Sequence, residues 1–74
     1  MPMDELAERL QKLRENKRPL RNRRVTSEMM GLSTNALQKY ERGEAVPSAE
    51  SLVKIADYYS VSTDYLLGRC PYAK

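Results

Sequence analysis

With 74 residues, of which 41% are hydrophobic and 31% charged, the chain can form one small globular domain and no more. Histidine is absent and Cys70 is the only cysteine, which excludes a zinc finger, a Ser-His-Asp triad and an internal disulfide. We therefore expect no enzyme, metal, cofactor or small-molecule ligand. No apolar run approaches the ~18 residues of a membrane span, and no signal peptide is evident, so we expect a cytoplasmic protein without membrane contact.

Positive charge is concentrated in one part of the chain. The net charge is only +3, but residues 9–24 carry eight basic side chains against Glu15, a local charge of +7. Residues 44–67 carry four acidic side chains against Lys54, a local charge of −3. Such polarity is typical of a domain that turns one face to a polyanion, although basic residues can also simply solvate a helix and a loop.

The apolar periodicity predicts helices throughout and no strand. Leu6, Leu10 and Leu13 share one face of a first helix. This helix is expected to end near Asn16, because Pro19 cannot continue it.

A second helix is predicted over roughly residues 22–30, and Met29 and Met30 are expected to fill the core. Gly31 follows, as expected where a helix stops and the backbone turns left-handed. Glycine in a short turn between two helices is typical of a helix-turn-helix, and Ser27 is small enough for their closest approach. A chance packing of three helices can carry the same glycine.

The third helix is predicted over residues 34–42, with Ser33 as its N-cap and Gly43 as its C-terminal stop. Leu37 and Tyr40 lie on one side of this helix and are expected to pack into the core. The opposite side is polar and carries Asn35, Gln38, Lys39 and Arg42.

Two further helices complete the predicted fold. Ser48 is expected to cap the fourth, and Ser62 caps a short fifth that Gly68 stops. Residues 1–69 then form one all-α domain with five helices and a shared core. Residues 70–74 form a short tail.

The chain resembles the Cro/CI-type (XRE) helix-turn-helix repressor family over residues 6–69. The motifs that carry the resemblance, in the family's order, are Leu6-Ala-Glu-Arg-Leu-Gln-Lys-Leu-Arg14, Gly31-Leu-Ser33, Tyr40-Glu-Arg-Gly43, Pro47-Ser48, Leu52-Val-Lys-Ile-Ala56 and Asp64-Tyr-Leu-Leu-Gly-Arg69. The resemblance implies a compact, five-helix, lambda-repressor-like DNA-binding domain. It also implies a homodimer on double-stranded DNA with a near-palindromic operator.

The chain departs from the family's pattern before the second helix. The loop between Arg14 and Ser27 is two residues longer than usual, and an arginine-rich stretch at residues 21–24 replaces the common Thr-Gln opening. Thr26 stands where an apolar residue is usual. The start and register of the second helix are therefore the least determined part of the prediction.

Two kinds of DNA contact are expected. By position in the family, Thr34, Asn35, Gln38 and Lys39 are expected to read base edges, and the last three lie on the polar side of the third helix. Phosphates are expected to be held by Arg21, Arg23 and Arg24 at the start of the second helix, and, by position in the family, by Ser33 and Arg42. An ordinary polar helix face and a solvated loop are the alternatives.

The resemblance further implies an ion pair between Arg14 and Glu41, which both lie at the edges of apolar stripes. Candidates for the dimer contact, which could form only on DNA, are Tyr65, Tyr72 and either Leu66 or Leu67, the other leucine being expected to close the core.

The predicted function is a sequence-specific transcriptional regulator, most simply a repressor of phage or mobile-element type, associated with the nucleoid. One alternative is the antitoxin of a toxin–antitoxin pair, against which residues 70–74 are too few for a substantial toxin-binding segment. Another is a protein-interaction module that has lost DNA binding, which would have an acidic or apolar third-helix face.

Overall fold

The computed structural model describes residues 3–69, which form five α-helices and no strand. The helices are α1 (Met3–Asn16), α2 (Arg23–Met29), α3 (Ala36–Glu41), α4 (Ala49–Tyr59) and α5 (Thr63–Leu66). The predicted all-α fold is confirmed, as is the end of the first helix at Asn16. The predicted tail, residues 70–74, lies outside the described residues.

A single apolar core joins the helices. Its buried members are Leu6, Leu10, Met30, Leu37, Ile55, Ala56 and Leu66. Met30 is buried as predicted, but the expectation for Met29 was wrong, because its position on α2 leaves it half exposed. Leu37 is the contribution of α3 and is completely buried, so the core holds the short helix on its inner side.

Side-chain caps begin three of the helices, and two of these caps are the serines that the sequence predicts. Ser48 Oγ accepts a hydrogen bond from Ser51 N at 3.2 Å, and Ser62 Oγ accepts from Tyr65 N at 3.0 Å. Asn22 caps α2 by accepting from Val25 N at 2.8 Å. This cap determines the register of α2, because a capping side chain satisfies backbone donors that the helix itself leaves unpaired.

The predicted start of the third helix was wrong. The helix begins at Ala36, two residues after the predicted Thr34, and Ser33 is not its N-cap. Asn35 takes the N-cap position but makes no capping bond with its side chain. The backbone of residues 33–36 forms a turn in which Ala36 N donates to the Ser33 carbonyl at 3.1 Å.

The physical reason for this shift lies on the neighbouring helix. Ser27 Oγ, on α2, accepts a hydrogen bond from Leu37 N at 3.0 Å. Leu37 is the second residue of α3. The N–H at this position is one that an N-cap side chain normally satisfies. A tertiary contact therefore performs the role that the sequence pattern assigned to Ser33. At the other end, α3 stops at Glu41 and Arg42 is its C-cap.

The turn between α2 and α3 depends on Gly31, as predicted. Its φ is +81°, a left-handed conformation that side chains with a Cβ rarely adopt. Leu32 N donates to the Ser27 carbonyl at 2.9 Å, which closes the end of α2. The chain is thereby redirected within a few residues, so that α3 packs across α2.

Candidate nucleic-acid interface

Ser27 links the two helices of the helix-turn-helix. Its side chain is completely buried and accepts the bond from Leu37 N. Serine is suited to this position because it is small enough for the close approach and supplies an acceptor to the first turn of α3. The orientation of α3 is thus set at its N-terminal end by α2.

We expect Ser27→Ala to lower the free energy of unfolding by about 1–3 kcal/mol, because Leu37 N–H would be left buried without an acceptor. Urea denaturation of the variant and the parent measures this difference. Ser33→Ala is the matched control, since Ser33 is exposed, and it should change stability by no more than about 0.5 kcal/mol. Equal effects of the two changes would mean that the bond from Leu37 N does not stabilise the fold.

The C-terminal end of α3 is held by α1. Arg14 Nε and Nη2 donate to the two carboxylate oxygens of Glu41 at 2.9 and 3.2 Å. The Glu41 side chain is completely buried, and that of Arg14 is 17% exposed. Gln11 Nε2 adds a hydrogen bond to the Glu41 carbonyl at 2.8 Å. The hydrogen bonds to Glu41 raise the pKa of the Arg14 guanidinium above its ordinary value, against the lowering effect of burial.

Two more side chains lie close to this ion pair. Arg23, the first residue of α2, places Nη1 4.0 Å from Glu41 Oε1. The N-terminus of α2 therefore lies next to the C-terminus of α3. Burial, aided by the charge of Glu41, raises the pKa of the Tyr59 phenol well above its ordinary value, so Tyr59 stays neutral. Its hydroxyl is buried and has no hydrogen-bond partner among residues 3–69.

The outward side of α3 and the turn before it carry the four predicted base-reading residues. Asn35 and Lys39 are exposed, whereas Thr34 and Gln38 are partly buried. Within the described part of the chain, no carboxylate lies within 4.0 Å of the Lys39 ammonium. This side of the helix can offer amide and ammonium donors to a ligand while the opposite side is held in the core.

The predicted phosphate-holding residues differ in their exposure and in the contacts that their side chains make within the protein. Arg24 and Ser33 are exposed, and Arg24 has no carboxylate within 4.0 Å among the residues described. Arg21 is partly buried and donates to the Tyr58 hydroxyl at 3.5 Å. Arg42 is half exposed and lies 3.8 Å from Glu44.

A family model described as "Helix-turn-helix" matches residues 10–66, most of the chain. The chain belongs to the XRE-type helix-turn-helix family.

Two relatives of this XRE-type domain are transcriptional regulators by name. It is 50% identical over 40 residues to the cryptic phage CTXphi transcriptional repressor RstR of Vibrio cholerae serotype O1, a match that covers 54% of this chain and 36% of that protein. It is 42% identical over 43 residues to the HTH-type transcriptional regulator ImmR of Bacillus subtilis strain 168, covering 58% and 34% of the two chains. The chain spans about a third of the length of these relatives. No solved structure matches it significantly.

The structure decides which of the two leucines of the XRE-type domain closes the core. Leu66 is completely buried in the core of the single chain, so it is not available for a dimer contact and Leu67 stays the candidate. Leu67 is partly exposed. Tyr65 packs beneath Arg9, whose guanidinium lies 4.6 Å from the ring centroid and donates to the Tyr65 carbonyl at 2.7 Å. Tyr72 lies outside the described residues.

Two contacts of the interface were missed by the sequence analysis. Gln11 bonds the end of α3, and its position three residues before Arg14 on the same helix face was the available signal. Gln38 and Arg42 contact each other, and their spacing of four residues could have indicated this. Within residues 3–69, no helix is long and apolar enough to cross a membrane, and no group of acidic or cysteine side chains could hold a metal ion.

Proposed function

We propose that this domain binds double-stranded DNA at a specific, near-palindromic operator and regulates transcription, as a repressor of phage or mobile-element type. The observation that carries the proposal is the way α3 is held. Its two ends are held by the hydrogen bond from Leu37 N to Ser27 Oγ and by those from Arg14 to Glu41, and its outer side is polar and accessible. A helix that is rigidly supported and polar outside suits the major groove, which is wide enough to admit it.

Base recognition is assigned to Thr34, Asn35, Gln38 and Lys39. An asparagine or glutamine amide can pair with adenine N6 and N7, and a lysine ammonium can donate to guanine O6 and N7. Each good pair discriminates against the wrong base by about 1–3 kcal/mol. Threonine can bond or contact any of several base edges and adds less specificity.

Phosphate binding is assigned to Arg21, Arg23, Arg24, Ser33 and Arg42. The proximity of Arg23 to Glu41 supports this group, because it brings the basic N-terminus of α2 next to α3. Contacts of this kind set the position of the protein on the duplex and make binding depend on salt, but carry no sequence information.

The domain is proposed to act as a homodimer. A helix of six residues reads only a few base pairs, and a two-fold axis doubles the site. The two half-sites should then lie about 34–36 Å apart on one side of the duplex. Leu67, Tyr65 and Tyr72 are the proposed contact residues, and the association can be weak enough to form only on DNA.

The repressor assignment is supported by the name of one relative, a phage transcriptional repressor, and by that of another, a transcriptional regulator. Because both relatives are named as transcriptional regulators of bacterial or phage origin, we also propose that the protein acts in the bacterial cytoplasm, on the nucleoid.

Selection of bound sequences from random DNA, followed by footprinting on the selected site, tests the proposal. We expect an enriched palindromic consensus and protection of two half-sites about one helical turn apart at saturating protein. Protection of a single isolated half-site would disprove the dimer. Failure to enrich any sequence would disprove specific DNA binding and favour a protein-interaction module.

A further inference from the structure

Gln38 and Arg42, one helical turn apart, form a pair on the outer side of α3. The end of the Gln38 amide lies 3.2 Å from both Nη1 and Nη2 of Arg42. A guanidinium has donors only, so the amide oxygen rather than the NH₂ group has to face it. The arginine therefore determines which end of the amide points outward.

The two bonds restrict what Gln38 can offer to a ligand. A carbonyl oxygen has two lone pairs, and two guanidinium N–H groups occupy both. The free part of the side chain is the NH₂ group, a double donor. Charge-assisted bonds at the oxygen also polarise the amide and strengthen its remaining N–H donors.

Arg42 also lies near a second partner. Its Nη1 is 3.8 Å from Glu44 Oε2, just beyond the end of α3. The Glu44 N–H donates to the Lys39 carbonyl at 2.9 Å, which ties this residue to the helix. The guanidinium thus lies between a carboxylate and the Gln38 amide.

We propose that Arg42, besides its proposed phosphate contact, positions the Gln38 amide for base recognition, which makes Gln38 a donor-only reader that selects guanine over adenine. This rests on the proposed function of operator binding. Guanine offers two acceptors, N7 and O6, in the major groove, so it suits a side chain with two donors. Adenine pairs with glutamine only when the amide oxygen accepts from N6, and Arg42 occupies that oxygen.

The test begins by locating the base pair that Gln38 reads. In competition binding against singly substituted operators, the base pair read by Gln38 is the one at which Gln38→Ala no longer discriminates between bases. At that position the parent should prefer guanine to adenine by about tenfold. Arg42→Met, which keeps the aliphatic stem but removes the donors, should lower this ratio by about fivefold or more, because the amide is free to rotate and pair with adenine.

Arg24→Met is the matched control, since Arg24 is an exposed arginine proposed to hold phosphate and has no contact with Gln38. It should weaken all operators similarly and leave the guanine-to-adenine ratio unchanged. Circular dichroism verifies that both variants are folded.

The outcomes separate this inference from the function it rests on. If the parent shows no preference among operators, the proposed function itself fails. If the parent binds specifically but prefers adenine at the Gln38 position, the donor-only assignment is wrong. A guanine-to-adenine ratio in Arg42→Met within about twofold of the parental ratio would equally overturn it, because the expected loss is larger than that.

Discussion

Arg14→Ala is expected to lower the free energy of unfolding by about 3–5 kcal/mol, which would unfold much of this small domain at moderate temperature. The variant would leave the completely buried Glu41 carboxylate without its two hydrogen bonds. Arg23 would be the remaining cation, but at 4.0 Å it forms no hydrogen bond in the parent and lies 40% exposed. Small domains are stable by only about 5 kcal/mol or somewhat more, so the loss approaches the total. Thermal and urea denaturation measure it.

Lys12→Ala is the matched control for this prediction. Lys12 is a basic residue of the same helix and pairs with Glu8 at 3.6 Å, but both side chains are about two-thirds exposed. Its removal should change stability by less than about 1 kcal/mol, because solvent screens exposed ion pairs. An Arg14→Ala melting temperature within a few degrees of the parent would show that the pair contributes little to stability.

Lys39→Ala is expected to relax base preference at one position of each half-site, with a loss of about 1–3 kcal/mol on the matched operator and less on one already mismatched there. The reason is its location: Lys39 is exposed on the outer side of α3, while Leu37 on the other side is completely buried. Equilibrium binding to matched and singly mismatched operators measures the change.

Arg24→Ala serves as the comparison, because it should lower the overall affinity without changing base preference. Arg24 is exposed and unpaired with any carboxylate in the described range, so its contact with phosphate should be purely electrostatic. Its loss should weaken all operators nearly equally and reduce the slope of log affinity against log salt by about one. If Lys39→Ala instead weakens every sequence equally and changes only the salt slope, then Lys39 holds phosphate and the reading side of α3 is misassigned.

Several elements of the fold were predictable because they depend on residues close together in the chain. Ser48 and Ser62 begin their helices by accepting bonds from backbone donors three residues later. Pro19 limits the first helix, and Gly31 adopts the left-handed conformation that its turn requires. Each of these rules is local, so a single sequence suffices to apply it.

The site was only partly predictable. The side of α3 that carries Asn35 and Lys39 follows from helical periodicity, and so does the burial of Leu37. Gln38 and Arg42 are four residues apart, a spacing at which helical side chains can meet. Their pairing was still not predictable, because two polar side chains on an exposed face can turn to solvent as easily as to each other. In the folded structure the Arg42 guanidinium lies 3.2 Å from the end of the Gln38 amide, and its donors favour the amide oxygen there.

The remaining features depend on contacts between helices that are distant in sequence. The start of α3 is set by Ser27 of α2, which bonds Leu37 N ten residues later and displaces the local cap predicted at Ser33. Leu66 rather than Leu67 fills the core, because the docking angle of a four-residue helix decides which leucine faces inward. Local composition and periodicity thus determined where helices form. The tertiary structure decided their ends and facing side chains, because a partner on another helix can satisfy or bury a group that local spacing assigns elsewhere.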